Sequence, residues 1–149
     1  MNTALLVGDL QRGILAFRPN RTDLPRDNPL FETFFEAADV FHEGAAGTEL
    51  ALPMQPEDVR VLKRRASAFA GTDLELVLRT HSVEHLAVAG VATSAMVAAT
   101  CYDAADRGYR ITVLRDGCAD ADPAMHDFFM DTVFPSRGHE VVSCAQWLR

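Results

Sequence analysis

Residues 85–116, HLAVAGVATSAMVAATCYDAADRGYRITVLRD, contain a complete strand–helix–strand unit. The continuous apolar run HLAVAG (85–90) predicts a strand buried on both faces, and ITVLRD (111–116) predicts the next strand. The segment between them predicts a helix that ends near Gly108, because glycine commonly follows the last turn of a helix. Two strands joined in this way form a right-handed parallel crossover, so the unit predicts an α/β fold with a parallel sheet.

The break from strand to helix comes directly after Gly90. Backbone N–H groups and the helix dipole at such a break favour a developing negative charge, which suits it to catalysis. The first turn, TSAM (93–96), nevertheless offers no obvious nucleophile. Cys101 does not replace one, because five residues turn it roughly 140° around the helix from Met96. It is predicted to be a packed core thiol.

The flanking sequence continues the alternation of strands and helices. Further strands are predicted at 3–9, 59–62 (VRVL) and 139–144, and further helices at 71–83 and 121–134. Thr72 and Glu75 fit a capping box at the start of the first of these helices. Asp122 and Pro123 fit the N-cap and first position of the second helix. Short connections in this order predict a sheet covered on both faces.

Residues 10–57 are less regular. They contain five prolines, and only NPLFETFFEAADVF (28–41) predicts a helix. An irregular stretch of this length in a compact domain indicates either a functional segment or the loss of regular elements.

Composition limits the classes of function. A chain of 149 residues with 48% hydrophobic and 23% charged residues predicts one globular domain over 1–149. The net charge of −7 argues against nucleic acid as a partner. The chain has neither a membrane-length apolar stretch nor a signal-peptide pattern. The three cysteines and five histidines lack metal-ligand spacing, so we expect no metal, reduced thiols and a cytoplasmic location.

Two charged residues follow predicted strands. Asp9 ends the first strand and Lys63 ends VRVL. Because ligands of parallel α/β proteins bind at the carboxyl ends of the strands, this pair could transfer protons and hold a polar substrate. A structural ion pair at the edge of the sheet explains the same spacing, and the two interpretations stay open on spacing alone.

Four segments together resemble the isochorismatase-like (cysteine hydrolase) superfamily. They are LLVGDLQ (5–11), VLKRRASAFAGTDLELVLR (61–79), LAVAGVATSAMVAATCYDAADRGYRITVL (86–114) and DGCADADPAMHDFFMDTVFP (116–135). The family includes nicotinamidases, carbamoylsarcosine-type amidases and isochorismate hydrolases. The resemblance implies a three-layer α/β/α, Rossmann-like fold with a mainly parallel sheet, a small-molecule substrate and a homo-oligomer. It implies no cofactor, because the family's metal-binding histidines are absent.

The resemblance also assigns roles to residues. Asp9 would be the catalytic acid/base and Lys63 would support it. The Val91–Ala92 peptide would be the family's cis bond beside the oxyanion hole. The pocket would be lined by the remaining matched residues: Gln11, Phe69, Thr93 and Ser94.

The position of the family's nucleophilic cysteine is occupied by Met96. A thioether cannot lose a proton or form the thioester of amidase chemistry, so thiol-dependent hydrolysis is excluded. Two hypotheses stay open. Asp9 acid/base chemistry could cleave a small metabolite with water as the nucleophile, as in the vinyl-ether hydrolysis of isochorismate. Alternatively, the chain is an inactive binding or oligomerisation subunit.

The N-terminal third departs from the family as well. In the family a helix and a strand separate the DLQ strand from a segment resembling AFRPN, whereas ILAFRPN follows DLQRG immediately here. We therefore expect a sheet that lacks one helix and one strand after the first strand. A partner copy in an intertwined oligomer could cover the gap, since an uncovered strand edge is prone to pair with another chain.

Overall fold

The structure is a computed structural model that describes residues 2–10 and 49–149. The chain divides into two compact units, Met1–Asp9 with Arg60–Arg149, and Leu10–Val59. The predicted helix at 28–41, the pocket residue Gln11 and the shortened region after the first strand lie outside the described residues. These three expectations stay predictions.

The described part of the second unit contains a hydrogen bond between distant residues and a tight turn. The Ala51 N–H donates to the Leu10 carbonyl over 2.9 Å. A turn closes between Gln55 and Asp58, where the Asp58 carboxylate accepts the Gln55 N–H over 2.7 Å and the Asp58 N–H donates to the Gln55 carbonyl.

The first unit is built on a parallel sheet whose spatial order follows the chain. Its four described strands are β1 (Asn2–Gly8), β2 (Val83–Val91), β3 (Arg110–Ala119) and β4 (Glu140–Val142). Each strand pairs in parallel with the next, and the register places Gly8 opposite Gly90. The strands predicted at 3–9, 85–90, 111–116 and 139–144 are confirmed. The carboxyl ends of β1 and β2 consequently lie side by side.

Helices follow the strands as the alternating pattern predicts. They are α1 (Leu74–Thr80), α2 (Ala98–Asp106), α3 (Pro123–Phe128), α4 (Phe134–Ser136) and α5 (Cys144–Trp147). A π-helical turn at Thr93–Val97 leads into α2, and another at Phe129–Val133 joins α3 to α4. Gly108 follows α2 with φ +83°, as predicted for a helix-terminating glycine. No helix in the described part of the chain has the length and apolar character needed to cross a membrane.

The predicted start of α3 is confirmed, whereas the capping box predicted for α1 is wrong. The Asp122 carboxylate accepts the Ala124 N–H at the start of α3. At α1 the Thr72 hydroxyl accepts the Leu74 N–H, but Asp73 is the N-cap residue. The Glu75 carboxylate forms ion pairs with two arginines instead of reaching back to the helix start. A strong charge-assisted contact is thus available to Glu75 that the local sequence does not reveal.

The strand predicted at 59–62 (VRVL) is also wrong. These residues form no strand, and Val59 and Leu62 are 55% and 44% exposed. Val61 packs against the core, but Val59, two residues earlier, is exposed, so the apolar residues of this segment do not share one buried face. A short apolar run does not by itself distinguish a strand from an irregular segment with a single core contact.

The core of the first unit lies on both faces of the sheet. Leu86 and Val88 point into the larger cluster, together with α1, α2 and Phe134. Ala87 and Ala89 point to the opposite face, where Leu114 of β3 and Val142 and Trp147 of the β4–α5 region join them. Burial on both sides explains why this strand is continuously apolar. The result is the predicted α/β/α layering, and Cys101 is a fully buried core thiol as predicted.

Candidate active site

The candidate site lies at the carboxyl ends of β1 and β2. Asp9 follows β1 directly and has φ +56°, a left-handed conformation that few residues other than glycine adopt. At the end of β2 the Val91–Ala92 peptide is cis, as the family resemblance implies. Non-glycine residues with a left-handed backbone conformation concentrate at functional sites, so Asp9 makes this edge of the sheet the candidate site.

Asp9 forms an ion pair with Lys63. The Lys63 Nζ lies 2.9 Å from Asp9 Oδ2 and also donates to the Arg65 carbonyl over 2.7 Å. The side chains of Lys63 and Asp9 are 10% and 16% exposed, so the pair is largely withdrawn from water. Lys63 is the single lysine of the sequence, in which the other 13 basic residues are arginine. The pair therefore places an ammonium in direct contact with the carboxyl group at this edge of the sheet.

Met96 fills the space above the ends of both strands. Its side chain is 2% exposed. A Cβ added to Gly8 would stand 2.6 Å from the Met96 Sδ, and one added to Gly90 would stand 2.6 Å from its Cε. The Thr100 hydroxyl donates to the thioether over 3.5 Å. The two glycines therefore leave the room that the methionine side chain occupies, beside the strand end that carries Asp9.

Side chains from the β3–α3 region hold the turn that precedes Met96. The Ser94 N–H and hydroxyl both donate to Asp120 Oδ2, over 2.8 and 2.7 Å. The fully buried Thr93 shares a hydrogen bond of 2.8 Å between its Oγ1 and His126 Nδ1. Burial of Asp120 alone would raise its pKa, but the hydrogen bonds from Ser94 and from the backbone of Asp122 and Ala121 together outweigh it and hold the pKa below its usual value. Asp120 is therefore a carboxylate at the start of the helical segment.

A model of the Isochorismatase domain matches residues 20–146. The chain belongs to the isochorismatase family.

Three similar proteins show how far this relationship extends. The isochorismatase family protein YwoC of Bacillus subtilis is 27% identical over 165 aligned positions, which cover 91% of this chain and 87% of that protein. A probable inactive nicotinamidase of Arabidopsis thaliana is 35% identical over 88 residues, covering 56% of this chain and 45% of that protein. The crystal structure of an isochorismatase-like hydrolase from Alkaliphilus metalliredigens superposes with a TM-score of 0.67 at 30% identity, covering 71% of this chain and 59% of that one.

The chain spans about half the length of several curated relatives that it matches, with 45–48% of the length of three of them covered. The 165 aligned positions with YwoC exceed the 149 residues of this chain, so the alignment contains positions at which YwoC has residues and this chain has none.

The three cysteines of the chain do not replace the nucleophilic thiol that the family has at the position of Met96. All three are free. Burial raises the pKa of Cys118 to about 12 and that of Cys101 still further. The hydrogen bond with Asp116 and the charge of that carboxylate raise the pKa of Cys144 as well. Because the thiolate is the nucleophilic form, none of the three is suited to attack a substrate. Within residues 2–10 and 49–149, no group of three or more His, Cys, Asp or Glu side chains is placed to hold a metal ion.

Some of the predicted site residues lie together in the structure, whereas another has its contacts in the core. Asp9 and Lys63 are in direct contact, and Met96 packs beside them on Gly8. Phe69 is buried, with its ring 5.9 Å from that of Tyr109 and with the Arg107 guanidinium 4.8 Å from its centroid. These contacts give Phe69 a place in the core, and its role in a pocket stays a prediction.

Three residues at this edge were missed in the sequence: Thr100, Asp120 and His126. Asp120 carried a usable signal, because it directly follows β3 just as Asp9 follows β1. His126 carried none, since a lone histidine in a helix has no distinctive spacing. Thr100 lies one helical turn after Met96 and could have been placed beside it by the i, i+4 relationship.

Proposed function

We propose that this chain is an isochorismatase-family hydrolase that acts on a small metabolite through Asp9, without a nucleophilic side chain. The observation that carries the proposal is the ion pair of Asp9 with Lys63 at the carboxyl edge of the sheet. The ammonium, 2.9 Å from Oδ2, holds in place the carboxyl group that would transfer the proton. The left-handed backbone of Asp9 supports the same interpretation.

Water is the nucleophile in this proposal. The Asp9 carboxylate takes a proton from the attacking water, the hydroxide oxygen bonds to the substrate carbon, and the bond to the leaving group breaks. Asp9 then returns the proton to the leaving group, so the carboxylate is regenerated and one water is consumed. Lys63 keeps Asp9 in position and balances its charge.

Backbone N–H groups of residues 92–96 orient the substrate in the same proposal. Two of them are already engaged, because the Ser94 N–H donates to Asp120 and the Ala95 N–H donates to the Ala92 carbonyl. The substrate oxygen is therefore assigned to the other N–H groups of this turn. The vinyl-ether route needs Asp9 in its protonated form, so a substrate cleaved in that way must first open the ion pair with Lys63.

The test is a comparison of wild type with Asp9→Asn on isochorismate and a panel of small amides and esters. General acid–base catalysis contributes roughly 10²- to 10⁴-fold, so kcat/KM for any cleaved substrate should fall by at least about 100-fold. Asp106→Asn, the same change at an exposed carboxylate near the end of α2, is the matched control and should leave the rate unchanged. Equal inertness of wild type and Asp9→Asn on every compound would contradict the enzymatic proposal.

A second candidate function is that of a catalytically inactive binding subunit. Met96 supports it, because the thioether occupies the space above Gly8 and Gly90. The similarity to a probable inactive nicotinamidase is consistent with it. Calorimetry on the same compounds tests this candidate. Binding by wild type without turnover supports it, and turnover that depends on Asp9 overturns it.

The proposal extends to self-association. Leu5 and Val7 are 57% and 44% exposed on β1, although both faces of a parallel sheet are normally covered. We expect a second copy to cover this face. Size-exclusion chromatography with light scattering should then give an oligomer that Leu5→Glu weakens. A monomeric wild type at micromolar concentration would contradict this part of the proposal.

A further inference from the structure

Two side chains from the β3–α3 region form hydrogen bonds with the turn that follows β2. Asp120, directly after β3, accepts two hydrogen bonds from Ser94. His126, in α3, shares a hydrogen bond with Thr93 through its Nδ1. Thr93 and Ser94 are the first two residues after the cis peptide, and Met96 follows two residues later. The turn is thus fixed from outside its own helix, at both residues that connect the peptide to the position of the family nucleophile.

We propose that His126 is a positioning residue of the active site, which holds the turn between the Val91–Ala92 peptide and Met96 through its hydrogen bond to Thr93. This inference rests on the proposed function for its catalytic consequence. The position of the turn itself can be measured whether or not the protein has hydrolase activity.

The hydrogen bond between Thr93 and His126 matters for the turn because Thr93 is buried. The residue has no exposed surface in the intact protein, so its hydroxyl depends on a protein group as hydrogen-bond partner. A buried hydroxyl that loses its partner is expensive to leave unsatisfied, and the turn is expected to shift until it finds another. Such a shift moves the N–H groups to which the substrate oxygen is assigned. An error of about 1 Å at a catalytic group can lower a rate by about 100-fold.

His126 is itself well anchored. Its own N–H donates to the Asp122 carbonyl over 3.1 Å, and the Asp122 carboxylate caps α3. The Asp122 N–H also lies 3.5 Å from the second oxygen of Asp120. The segment from Asp120 to His126 therefore acts as one support with two contacts to the turn.

The first experiment measures catalysis on whichever substrate the panel identifies. His126→Leu should lower kcat about tenfold or more with little change in KM. His126→Asn, whose side-chain amide can replace the Nδ1 contact, should recover most of the rate. Thr93→Val should resemble His126→Leu, and combining the two should add little. Because a smaller folded fraction also lowers the apparent kcat at constant KM, each rate is divided by the folded fraction that circular dichroism gives for that variant. His81→Leu, at an exposed histidine after α1, is the control.

The second experiment does not depend on turnover. Amide hydrogen exchange at residues 93–96 is compared among wild type, His126→Leu and His126→Asn by NMR. We expect at least fivefold faster exchange in His126→Leu, unchanged exchange in the middle of β2, and near wild-type exchange in His126→Asn. A parallel measurement uses the thiol introduced by Met96→Cys, whose rate of alkylation at fixed pH should change at least fivefold when His126→Leu is added.

The two experiments separate failure of this inference from failure of the proposed function. Altered exchange and alkylation without any hydrolase activity would overturn the proposed function and support the positioning role. Exchange and alkylation unchanged by His126→Leu would overturn the positioning role, whatever the activity. Equal loss of kcat in His126→Leu and His126→Asn would also overturn it.

Discussion

Lys63→Met tests the ion pair on which the candidate site is built. The substitution keeps the apolar stem of the side chain and removes the ammonium that lies 2.9 Å from Asp9 Oδ2. At an effective dielectric constant of about 20, the Coulomb attraction at this distance is about 6 kcal/mol, much of it offset by desolvation of both charges. Breaking a buried pair costs about 3–5 kcal/mol, because the other charge stays behind without a partner. Since Asp9 keeps 16% of its surface exposed, we expect a loss of about 2–4 kcal/mol.

Urea unfolding measures this loss of unfolding free energy. In thermal unfolding, the corresponding fall in Tm is about 4–16 °C for a chain of this size. The double variant Asp9→Asn with Lys63→Met should be more stable than Lys63→Met alone, because no unpaired charge is left in it. Lys63 is the chain's single lysine, so its ammonium resonance needs no assignment by mutagenesis, and its loss from the NMR spectrum verifies each variant.

Two results would refute this reasoning. A cost below about 1 kcal/mol for Lys63→Met is the behaviour of an exposed surface pair, and it would mean that water reaches Asp9 freely. A double variant as unstable as Lys63→Met would mean that the lysine contributes through packing and its bond to the Arg65 carbonyl, not through the charge of Asp9. Arg64→Met, at the neighbouring exposed cation, is the matched control.

Three further predictions concern packing, pH and thiol reactivity. Gly8→Ala should destabilise the protein by about 1–3 kcal/mol in urea unfolding, because its Cβ would lie 2.6 Å from the Met96 Sδ. The same change in a Met96→Ala background should cost little, and a persistent cost would contradict the steric explanation. Burial lowers the pKa of His139, so its contribution to stability should be complete above about pH 6.5 and lost as the pH falls below that value. The urea midpoint of wild type should then fall more steeply between pH 7.5 and 5.5 than that of His139→Gln, and parallel profiles would count against it. Iodoacetamide at pH 8 should leave Cys101 and Cys118 unmodified in the folded protein and alkylate both in guanidinium, as read by mass spectrometry, because burial raises both pKa values. Alkylation of Cys101 in the native state would contradict its buried position.

Much of the fold could be predicted because its signals are local. The run LAVAG is apolar at every position, and Leu86 and Ala87 are indeed buried on opposite faces of the sheet. Asp122 caps α3 through a contact only two residues long. The VRVL segment was misread because a short apolar run does not reveal whether a distant part of the chain supplies a hydrogen-bonded neighbouring strand.

The candidate site could be predicted only where a family pattern or a strand end pointed to it. Asp9 and Lys63 were found in this way, and the structure adds that they touch. Asp120 and His126 escaped prediction because their importance comes from contact with Thr93 and Ser94, more than 25 residues earlier in the chain. Nothing in the sequence around His126 distinguishes it from a surface histidine.

The absence of a thiol at residue 96 follows from the sequence alone, since no folding can give a thioether an acidic proton. The alternation of parallel strands and helices also follows from the sequence, because a strand buried on both faces is continuously apolar. What methionine does at that position depends on the fold. Its side chain fills a space that exists because β1 and β2 pair in the register that sets Gly8 opposite Gly90, and such pairing joins residues that the sequence keeps far apart.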